Sequence, residues 1–227
     1  MKSVVLLSGG IDSTTCLAMA LEETDAKDVL AVNMYYGQKH DREMQSARDV
    51  AEYYGVQLVE LDLSAIFAKS NCSLLKRSTD EVPHESYAEQ QKDNPGKPVS
   101  TYVPFRNGLM LSAAASIAVS VGATKIYYGA HADDAAGNAY PDCTPAFADA
   151  INWAVWEGTG NQCEVIAPFI NCNKAGVVKY GLAHNVPYEK TWSCYEGGEK
   201  PCGKCGTCID RAKAFQENGV KDPYDQD

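Results

Sequence analysis

The residues best suited to chemistry near the start of the chain form the sequence SGGIDS at positions 8–13, between a short apolar run and a helical pattern. Glycine lets the backbone approach a ligand closely, and successive N–H groups at a helix N-terminus bind anions. The hydroxyl of Ser13 adds a donor, and Asp12 is a candidate partner for Mg²⁺. The segment, called the phosphate loop below, therefore predicts a phosphate site, although such a corner can also be purely structural.

A second chemical group lies near the C-terminus, in the run CGKCGTC and the cysteine that precedes it. The four thiols belong to Cys194, Cys202, Cys205 and Cys208. Glycine after a thiol permits a tight turn that aims N–H groups at sulfur. Four thiolates can close a tetrahedral zinc site, and a site with no open position is structural. An iron–sulfur cluster is the alternative, although the Cys-Pro that ends a ferredoxin-type run does not follow here.

Two cations stand where helices are expected to begin. Arg106, in the run TYVPFRN at 101–107, could offer its planar fork to a carboxylate or a phosphate, while Asn107 could cap the next helix. Lys174 opens the helical run KAGVVKYG and is a candidate for a phosphate contact. Lys174 could equally be an exposed cation in an ordinary first helical turn, and a solvated Arg106 at a capped helix start is the less favoured alternative for that residue.

Acidic and aromatic side chains in two further stretches could recognise a flat ring. The polar loop 129–143 contains Asp142, whose carboxylate could accept two N–H groups from a guanine-like ring. Trp192 and Tyr195, beside the cysteine run, could stack on such a ring. Core packing is an equally good interpretation of Trp192.

Composition favours a small-molecule partner over a nucleic acid or a membrane. The 227 residues include 20 Lys and Arg against 30 Asp and Glu, a formal net charge of -10. Binding to phosphate backbones or anionic membranes needs clustered cations. The sequence has no apolar run of membrane-spanning length and no secretory leader is expected. Nine cysteines are too few for a disulfide scaffold, which predicts a reduced, cytoplasmic protein.

Alternating strands and helices must position these groups. Apolar runs predict strands at 3–7, 28–35, 56–61, 125–130 and 164–167, and helical periods predict helices at 12–21, 41–54, 107–121, 145–157 and 174–183, with a last helix starting at Arg211. The alternation predicts an α/β fold with a parallel sheet covered on both faces. Ligands should then lie beyond the carboxyl ends of the strands.

The same pass along the chain predicts two domains. Residues 1–185 are expected to form the α/β domain that carries the phosphate loop, and residues 186–227 a mostly helical, zinc-binding tail that completes the substrate site. Residues 62–100 interrupt the rhythm with three prolines and mixed charge. A stretch of this length without a sustained period predicts a long, partly mobile insertion.

Taken together, the motifs resemble one family. SGGIDS resembles the PP-loop of the ATP pyrophosphatases, which grips the pyrophosphate of ATP during adenylation. With YYGQKH at 35–40, VPFRN at 103–107, YPDCTPAF at 140–147 and the cysteine segment 191–208, the chain resembles the 7-cyano-7-deazaguanine synthases of queuosine and archaeosine biosynthesis over nearly its whole length. The stretch HADDAAGNA at 131–139 departs from the form usual in that family, so the substrate loop is where the product could differ.

The resemblance implies an ATP-dependent ligase that converts 7-carboxy-7-deazaguanine and ammonia into the 7-cyano product through adenylated carboxylate and amide intermediates. It implies Mg²⁺ bound with ATP, one structural Zn²⁺ per chain on the four cysteines, and a homodimer. The expected catalytic residues are Asp12, Ser13, Arg106 and Lys174. The expected ATP contacts are Ser8, Gly9, Gly10, Ile11, Asp12, Ser13, Thr14 and Lys174. The expected substrate contacts are Arg106, Asn107, Asp142, Trp192 and Tyr195.

Three other functions stay open at this point. An enzyme of the same kind could stop at the amide product. A PP-loop enzyme that adenylates a base in tRNA would need a basic face, which the net charge of -10 disfavours. A zinc-knuckle module that binds nucleic acid and uses ATP only structurally would show binding that falls steeply with salt.

Overall fold

Five parallel strands form the centre of the structure, a computed structural model that describes residues 1–93 and 95–225. In the described residues the strands are β1 (Ser3–Leu6), β2 (Val29–Tyr35), β3 (Gln57–Asp62), β4 (Lys125–Tyr127) and β5 (Glu164–Ile166), in the order β3-β2-β1-β4-β5. The helices are α1 (Ile11–Glu23), α2 (Arg42–Tyr54), α3 (Tyr87–Asp93), α4 (Arg106–Val121), α5 (Ala132–Ala135), α6 (Pro145–Gly158), α7 (Lys174–Ala183) and α8 (Gly206–Glu217). The predicted α/β class is confirmed.

Helices cover both faces of the sheet, as the continuous apolar strands require. Val4 in β1 pairs with Leu30 in β2 and with Ile126 in β4, and all three are buried on the face that α4 and α6 cover. The next residue, Val5, points to the opposite face with α1, α2 and α7. Successive strand residues alternate between faces, so one apolar strand contributes to two cores.

The strand order reverses at β1, because β2 and β3 lie on one side of it and β4 and β5 on the other. Such a reversal opens a crevice at the carboxyl ends of the strands. Here the crevice is narrow: a Cβ on Gly129, just beyond β4, would lie 2.7 Å from the backbone carbon of Asp12. Glycine at this position lets the end of β4 approach the first turn of α1.

The insertion at 62–100 is packed against the rest of the chain. It contains α3, so the expectation of a segment without regular structure is wrong at that point. Phe67, Leu74 and Leu75 are buried in a third core, which they share with three of the four C-terminal cysteines. These apolar residues follow neither a helical nor a strand period, so no pattern in the sequence identified them as buried. Mobility of the insertion stays a prediction, and its residue 94 lies outside the described residues.

The C-terminal tail packs onto the α/β core through α8. Phe215 of α8 is buried with Val177 of α7. Arg211 lies in the middle of α8, so the prediction that it starts the last helix is wrong. It is fully buried, and its Nε donates to Asp222 at 2.8 Å. Removing one member of a buried ion pair typically costs about 3–5 kcal/mol.

The predicted boundary between residues 185 and 186 stays a prediction, and the last two residues of the tail, 226–227, lie outside the described residues. Among the described helices, none combines the length and apolar character needed to cross a bilayer.

Candidate active site

The phosphate loop leaves β1 and enters α1 at the carboxyl edge of the sheet. Gly9 has a φ of 84°, and a Cβ there would lie 2.5 Å from the backbone nitrogen of Ala47, so only glycine fits. The hydroxyls of Ser8 and Ser13 lie 3.0 Å apart, and that of Ser13 donates to the carbonyl of Gly10 at 3.2 Å. No side chain of the described residues caps α1, so its first N–H groups are available to an anion.

Lys174 and Asp12 form the charged centre of the site. Nζ of Lys174, at the start of α7, lies 2.6 Å from Oδ2 of Asp12, in the first turn of α1. His131 lies beside the pair, with Nε2 3.4 Å from Nζ of Lys174 and 3.3 Å from Oδ2 of Asp134. Three elements that are far apart in sequence thus bring opposite charges together at the end of β1.

The protonation of this cluster follows from burial and from the neighbouring charges. Burial by itself raises the pKa of Asp12, but Lys174 and His131 outweigh it and hold the pKa below its usual value. Burial opposes the charge on Lys174 as well, yet Asp12 and Asp134 raise its pKa. Both members of the pair are therefore ionised at neutral pH.

One oxygen of the cluster has no hydrogen-bond partner, although it lies 3.8 Å from Nε2 of His131. Oδ1 of Asp12 is buried without a hydrogen bond to any described residue. A hard cation such as Mg²⁺ prefers carboxylate oxygens together with phosphate oxygens. A buried, unbonded carboxylate oxygen beside a phosphate loop fits Mg²⁺ bound with a nucleotide.

A single cavity brings most of the expected site residues together. Those that line it are Ser8, Gly10, Ile11, Asp12, Ser13, Arg106, Asn107, Lys174, Trp192 and Tyr195. Gly9, Thr14 and Asp142 do not line it. Gly9 faces α2 behind the loop, and the side chain of Thr14 is fully buried.

Arg106 enters the cavity from the start of α4, where the chain makes a strained turn. Phe105 has a φ of 54°, a conformation that costs a residue other than glycine about 1–3 kcal/mol. The hydroxyl of Tyr102 accepts a hydrogen bond from the backbone N–H of Phe105 at 2.8 Å, and the ring of Phe105 packs edge-on against Phe147. The guanidinium of Arg106 lies 4.9 Å from the centre of the Tyr36 ring. This geometry holds a cation over an aromatic face inside the cavity.

Asp142 does not line the cavity, and its expected contact with the substrate stays a prediction. Its Oδ2 accepts a hydrogen bond from the backbone N–H of Asn107 at 2.9 Å, and it is 3% exposed. It thereby satisfies a free N–H in the first turn of α4, the capping role expected of Asn107. Asn107 is the second residue of that helix, and Phe105 holds the cap position. The expectation that Asn107 caps α4 is therefore wrong.

The C-terminal thiols form one compact cluster. Within 4.8 Å of one another lie the sulfur atoms of Cys194, Cys202, Cys205 and Cys208. Gly203 has a φ of 69°, and the turn it allows places the N–H groups of Lys204 and Cys205 at 3.4 Å and 3.3 Å from the sulfur of Cys202. The cluster fits a closed four-thiolate metal site.

The cysteine cluster is joined directly to the phosphate loop. The backbone N–H of Trp192 donates to the carbonyl of Gly9 at 2.9 Å, and its indole N–H donates to the carbonyl of Cys194 at 2.8 Å. The hydroxyl of Tyr195 lies 3.0 Å from that of Tyr87 in the insertion. The cluster can therefore fix the wall of the cavity that lies beside the phosphate loop.

Comparison with known families decides the identity. Residues 2–219 match the family model described as queuosine biosynthesis protein QueC. The chain belongs to this family. The family resemblance inferred from the sequence is confirmed.

Relatives of the chain carry consistent names. Over 224 residues it is 44% identical to the 7-cyano-7-deazaguanine synthase of Archaeoglobus fulgidus, an alignment that covers 98% of this chain and 89% of the relative. It is 41% identical over 222 residues to the enzyme of the same name from Psychromonas ingrahamii, covering 98% and 96%. Among solved structures, NMN synthetase from Francisella tularensis matches with a TM-score of 0.52 at 14% identity, covering 97% of this chain and 78% of that one. That likeness shows the fold.

The cavity of this QueC-family chain also contains polar residues that the sequence did not single out. Glu43 lies in the first turn of α2, and Asp134 lies in α5. Burial raises the pKa of Glu43 to about 7 and also raises that of Asp134. The available signal for Glu43 was its place in the first turn of the helix that follows β2. Asp134 belongs to the polar loop 129–143, which was expected to meet the substrate.

Proposed function

We propose that the chain converts 7-carboxy-7-deazaguanine and ammonia into 7-cyano-7-deazaguanine, with ATP as the source of free energy. By homology it is a 7-cyano-7-deazaguanine synthase. A nitrile made from a carboxylate must lose both carboxylate oxygens, so oxygen must be turned into a leaving group twice. Adenylation by ATP does this each time, because AMP leaves with the oxygen.

The first half of the proposed reaction forms an amide. A carboxylate oxygen attacks the α-phosphorus of ATP and expels pyrophosphate, then ammonia attacks the acyl carbon, AMP leaves and a proton is released. In the second half the amide oxygen attacks the α-phosphorus of a second ATP and expels pyrophosphate. Loss of AMP and of the nitrogen protons then leaves the nitrile.

One observation carries the proposal: the phosphate loop, the Asp12–Lys174 pair and Arg106 line the same cavity. The loop N–H groups and the hydroxyl of Ser13 bind the phosphates, and Lys174 offsets their charge. Asp12 would hold Mg²⁺, which supplies charge stabilisation as pyrophosphate departs. Arg106 binds the substrate carboxylate and keeps it close to the α-phosphate.

The cysteine cluster has a structural role in this proposal. One Zn²⁺ per chain, held by four thiolates, fixes the segment that carries Trp192 and Tyr195. These aromatic side chains line the cavity and are suited to stack on the flat deazaguanine.

Two further features belong to the same proposal. We place the protein in the cytoplasm, where thiols stay reduced; all nine cysteines lie in the described residues and none forms a disulfide. We also propose the homodimer implied by the family resemblance. An exposed Trp153 on α6 is one apolar side chain that a second copy could cover. Sedimentation velocity of the purified protein tests the dimer.

The deciding experiment incubates the protein with 7-carboxy-7-deazaguanine, ATP, Mg²⁺ and ammonium, and analyses the products by mass spectrometry and nucleotide chromatography. We expect the nitrile with AMP and pyrophosphate, and no amide or nitrile when ammonium is omitted. Accumulation of the amide alone would support an enzyme that stops there. Stoichiometric ADP would contradict adenylation. Binding of tRNA that falls steeply with salt would favour a nucleic-acid partner.

A further inference from the structure

We propose that Glu43 recognises the six-membered ring of the substrate by accepting hydrogen bonds from its ring N–H and its exocyclic amino group. This inference rests on the proposed function, because it takes a deazaguanine as the ligand. It gives Glu43 the recognition role that the sequence assigned to Asp142.

Glu43 is the carboxyl group of the cavity that lacks a partner among the described residues. Three carboxyl groups line the cavity there. Asp12 is bound by Lys174 at 2.6 Å, and Asp134 lies 3.3 Å from His131. The carboxyl of Glu43 makes no hydrogen bond or ion pair with a described residue; burial therefore raises its pKa, and the charge that lowers it is that of Arg106. A half-buried acceptor that faces the cavity without a partner among the described residues gains hydrogen bonds when a ligand supplies N–H donors.

The position of Glu43 relative to the phosphate loop is fixed. Ser46, one turn further along α2, donates from its hydroxyl to the carbonyl of Gly9 at 2.8 Å. The packing is close, since a Cβ on Gly9 would lie 2.7 Å from the carbonyl oxygen of Glu43. Arg42 lies 5.1 Å from the ring of Trp192 on the other wall. The start of α2 is thus held between the loop and the cysteine wall, which makes Glu43 a preorganised contact.

The charges of the cavity match the two ends of a carboxy-deazaguanine. The substrate has an anionic carboxylate on its five-membered ring and two adjacent N–H donors on its six-membered ring. Arg106 offers a cationic fork and Glu43 offers two carboxylate oxygens in the same cavity. An adenine ring presents an amino donor beside an acceptor nitrogen, which an ionised carboxylate matches less well. The guanine-like ring is therefore the better ligand for Glu43.

The first test compares Glu43→Gln with Glu52→Gln, the same change at an exposed position of the same helix. We expect Glu43→Gln to raise KM for the carboxy-deazaguanine by about tenfold to a hundredfold, because one acceptor is replaced by a donor. The KM for ATP should stay within about twofold of the wild-type value, and Glu52→Gln should change neither. Metal content and thermal unfolding establish that both variants are folded.

The second test removes the partner group from the substrate. The wild-type protein is assayed with an analogue that lacks the exocyclic amino group, and the same analogue is assayed with Glu43→Gln. We expect a KM increase of about tenfold or more in the wild type and a much smaller one in the variant, since the two changes remove the same contact. Should Glu43→Gln not fold, the wild-type result alone decides: an analogue that binds as well as the substrate overturns the proposal.

Other outcomes separate this inference from the proposed function. A rise in KM for ATP alone would place Glu43 against the adenine and overturn the inference. If replacing the substrate by the analogue raises KM by the same factor in the wild type and in Glu43→Gln, the inference is overturned as well. If the wild type makes no nitrile at all, the proposed function fails. If the wild type is active and Glu43→Gln matches it, only the role of Glu43 fails.

Discussion

The two walls of the cavity are built by different means. The sheet wall consists of the phosphate loop and the starts of α1 and α7, all attached to buried parallel strands. The cysteine wall, residues 191–208, has little regular structure before α8, and it packs on the insertion through buried Phe67 and Leu75. The sheet wall is held by strand and helix hydrogen bonds. The cysteine wall is held by sulfur atoms placed for a metal and by a small third core.

This difference implies that the two ends of the active site can be damaged separately. Binding of ATP at the phosphate loop should tolerate loss of the metal from the cysteine cluster, whereas binding of the deazaguanine ring beside Trp192 and Tyr195 should not. A backbone hydrogen bond from Trp192 to Gly9 at 2.9 Å joins the two walls, so changes on either side of it test how far they act separately. Substitutions in each wall therefore test whether binding of ATP and binding of the carboxy-deazaguanine can be lost separately.

Asp12→Asn should have the largest effect, because it attacks the sheet wall at its charged centre. The change weakens the proposed Mg²⁺ contact and leaves Lys174 without its anionic partner. We expect kcat to fall by about a hundredfold or more, comparable to the loss of one preorganised electrostatic contact in other enzymes. Metal content at the cysteine cluster should be unchanged. Asp25→Asn, an exposed carboxylate, is the control. Turnover near the wild-type value at saturating Mg²⁺ would contradict the assignment.

Cys205→Ser should break the cysteine wall and spare the sheet wall. Loss of one thiolate opens the four-sulfur site, and structural zinc contributes folding free energy. We expect loss of zinc by elemental analysis, a lower melting temperature, and a KM for the carboxy-deazaguanine raised by more than about tenfold. The affinity for ATP should change much less. Cys172→Ser, at an exposed cysteine, is the control. Equal losses of ATP and substrate binding would show that the two walls act as one unit.

The same contrast explains how much the sequence could predict. The sheet wall follows from local patterns: the helix predicted at 174–183 is found at Lys174–Ala183, and the phosphate loop lies where strand and helix meet. The cysteine cluster also follows from spacing alone. These features depend on residues close together in the chain.

Contacts between distant residues were not accessible from those patterns. Asp142 binds the backbone of Asn107, 35 residues away, and nothing in either local sequence specifies that pairing. From the sequence alone, Glu43 is an ordinary acidic residue in a first helical turn. Only the structure shows that it lines the same cavity as Arg106. The buried residues of the insertion have no period because they fill the space around the cysteine cluster.

Arg106→Lys sharpens the comparison at the carboxylate end of the substrate. Lysine keeps the positive charge but loses the planar fork and the stacking on Tyr36. We expect KM for the carboxy-deazaguanine to rise by more than about tenfold, the usual loss of a charge-assisted hydrogen bond. KM for ATP should be nearly unchanged. Arg48→Lys, on the exposed pair with Glu60, is the control. An equal rise in KM for ATP would place Arg106 on the phosphates.

The pH dependence of substrate binding should separate Glu43 from the charged centre. Burial raises the pKa of Glu43 to about 7, and the groups that face it are Arg106 from α4 and Tyr36 beyond β2. The ionised form accepts two hydrogen bonds, so KM for the carboxy-deazaguanine should rise as pH falls through 7. Between pH 8 and pH 6 the expected rise is about tenfold. Glu43→Gln should abolish this slope, and a slope unchanged in that variant would assign it to another group.

Asp142→Asn should have the smallest effect, and it tests whether the loop that carries Asp142 is structural. The carboxylate accepts the N–H of Asn107, and an amide oxygen can accept the same bond, since Asn and Asp satisfy helix N-termini about equally well. We expect the free energy of unfolding to change by less than about 1 kcal/mol and KM for the carboxy-deazaguanine to stay within about twofold. Asp142→Ala, which leaves that N–H without its acceptor, should cost about 1–2 kcal/mol by denaturant unfolding. A tenfold rise in KM with unchanged stability would return Asp142 to the substrate.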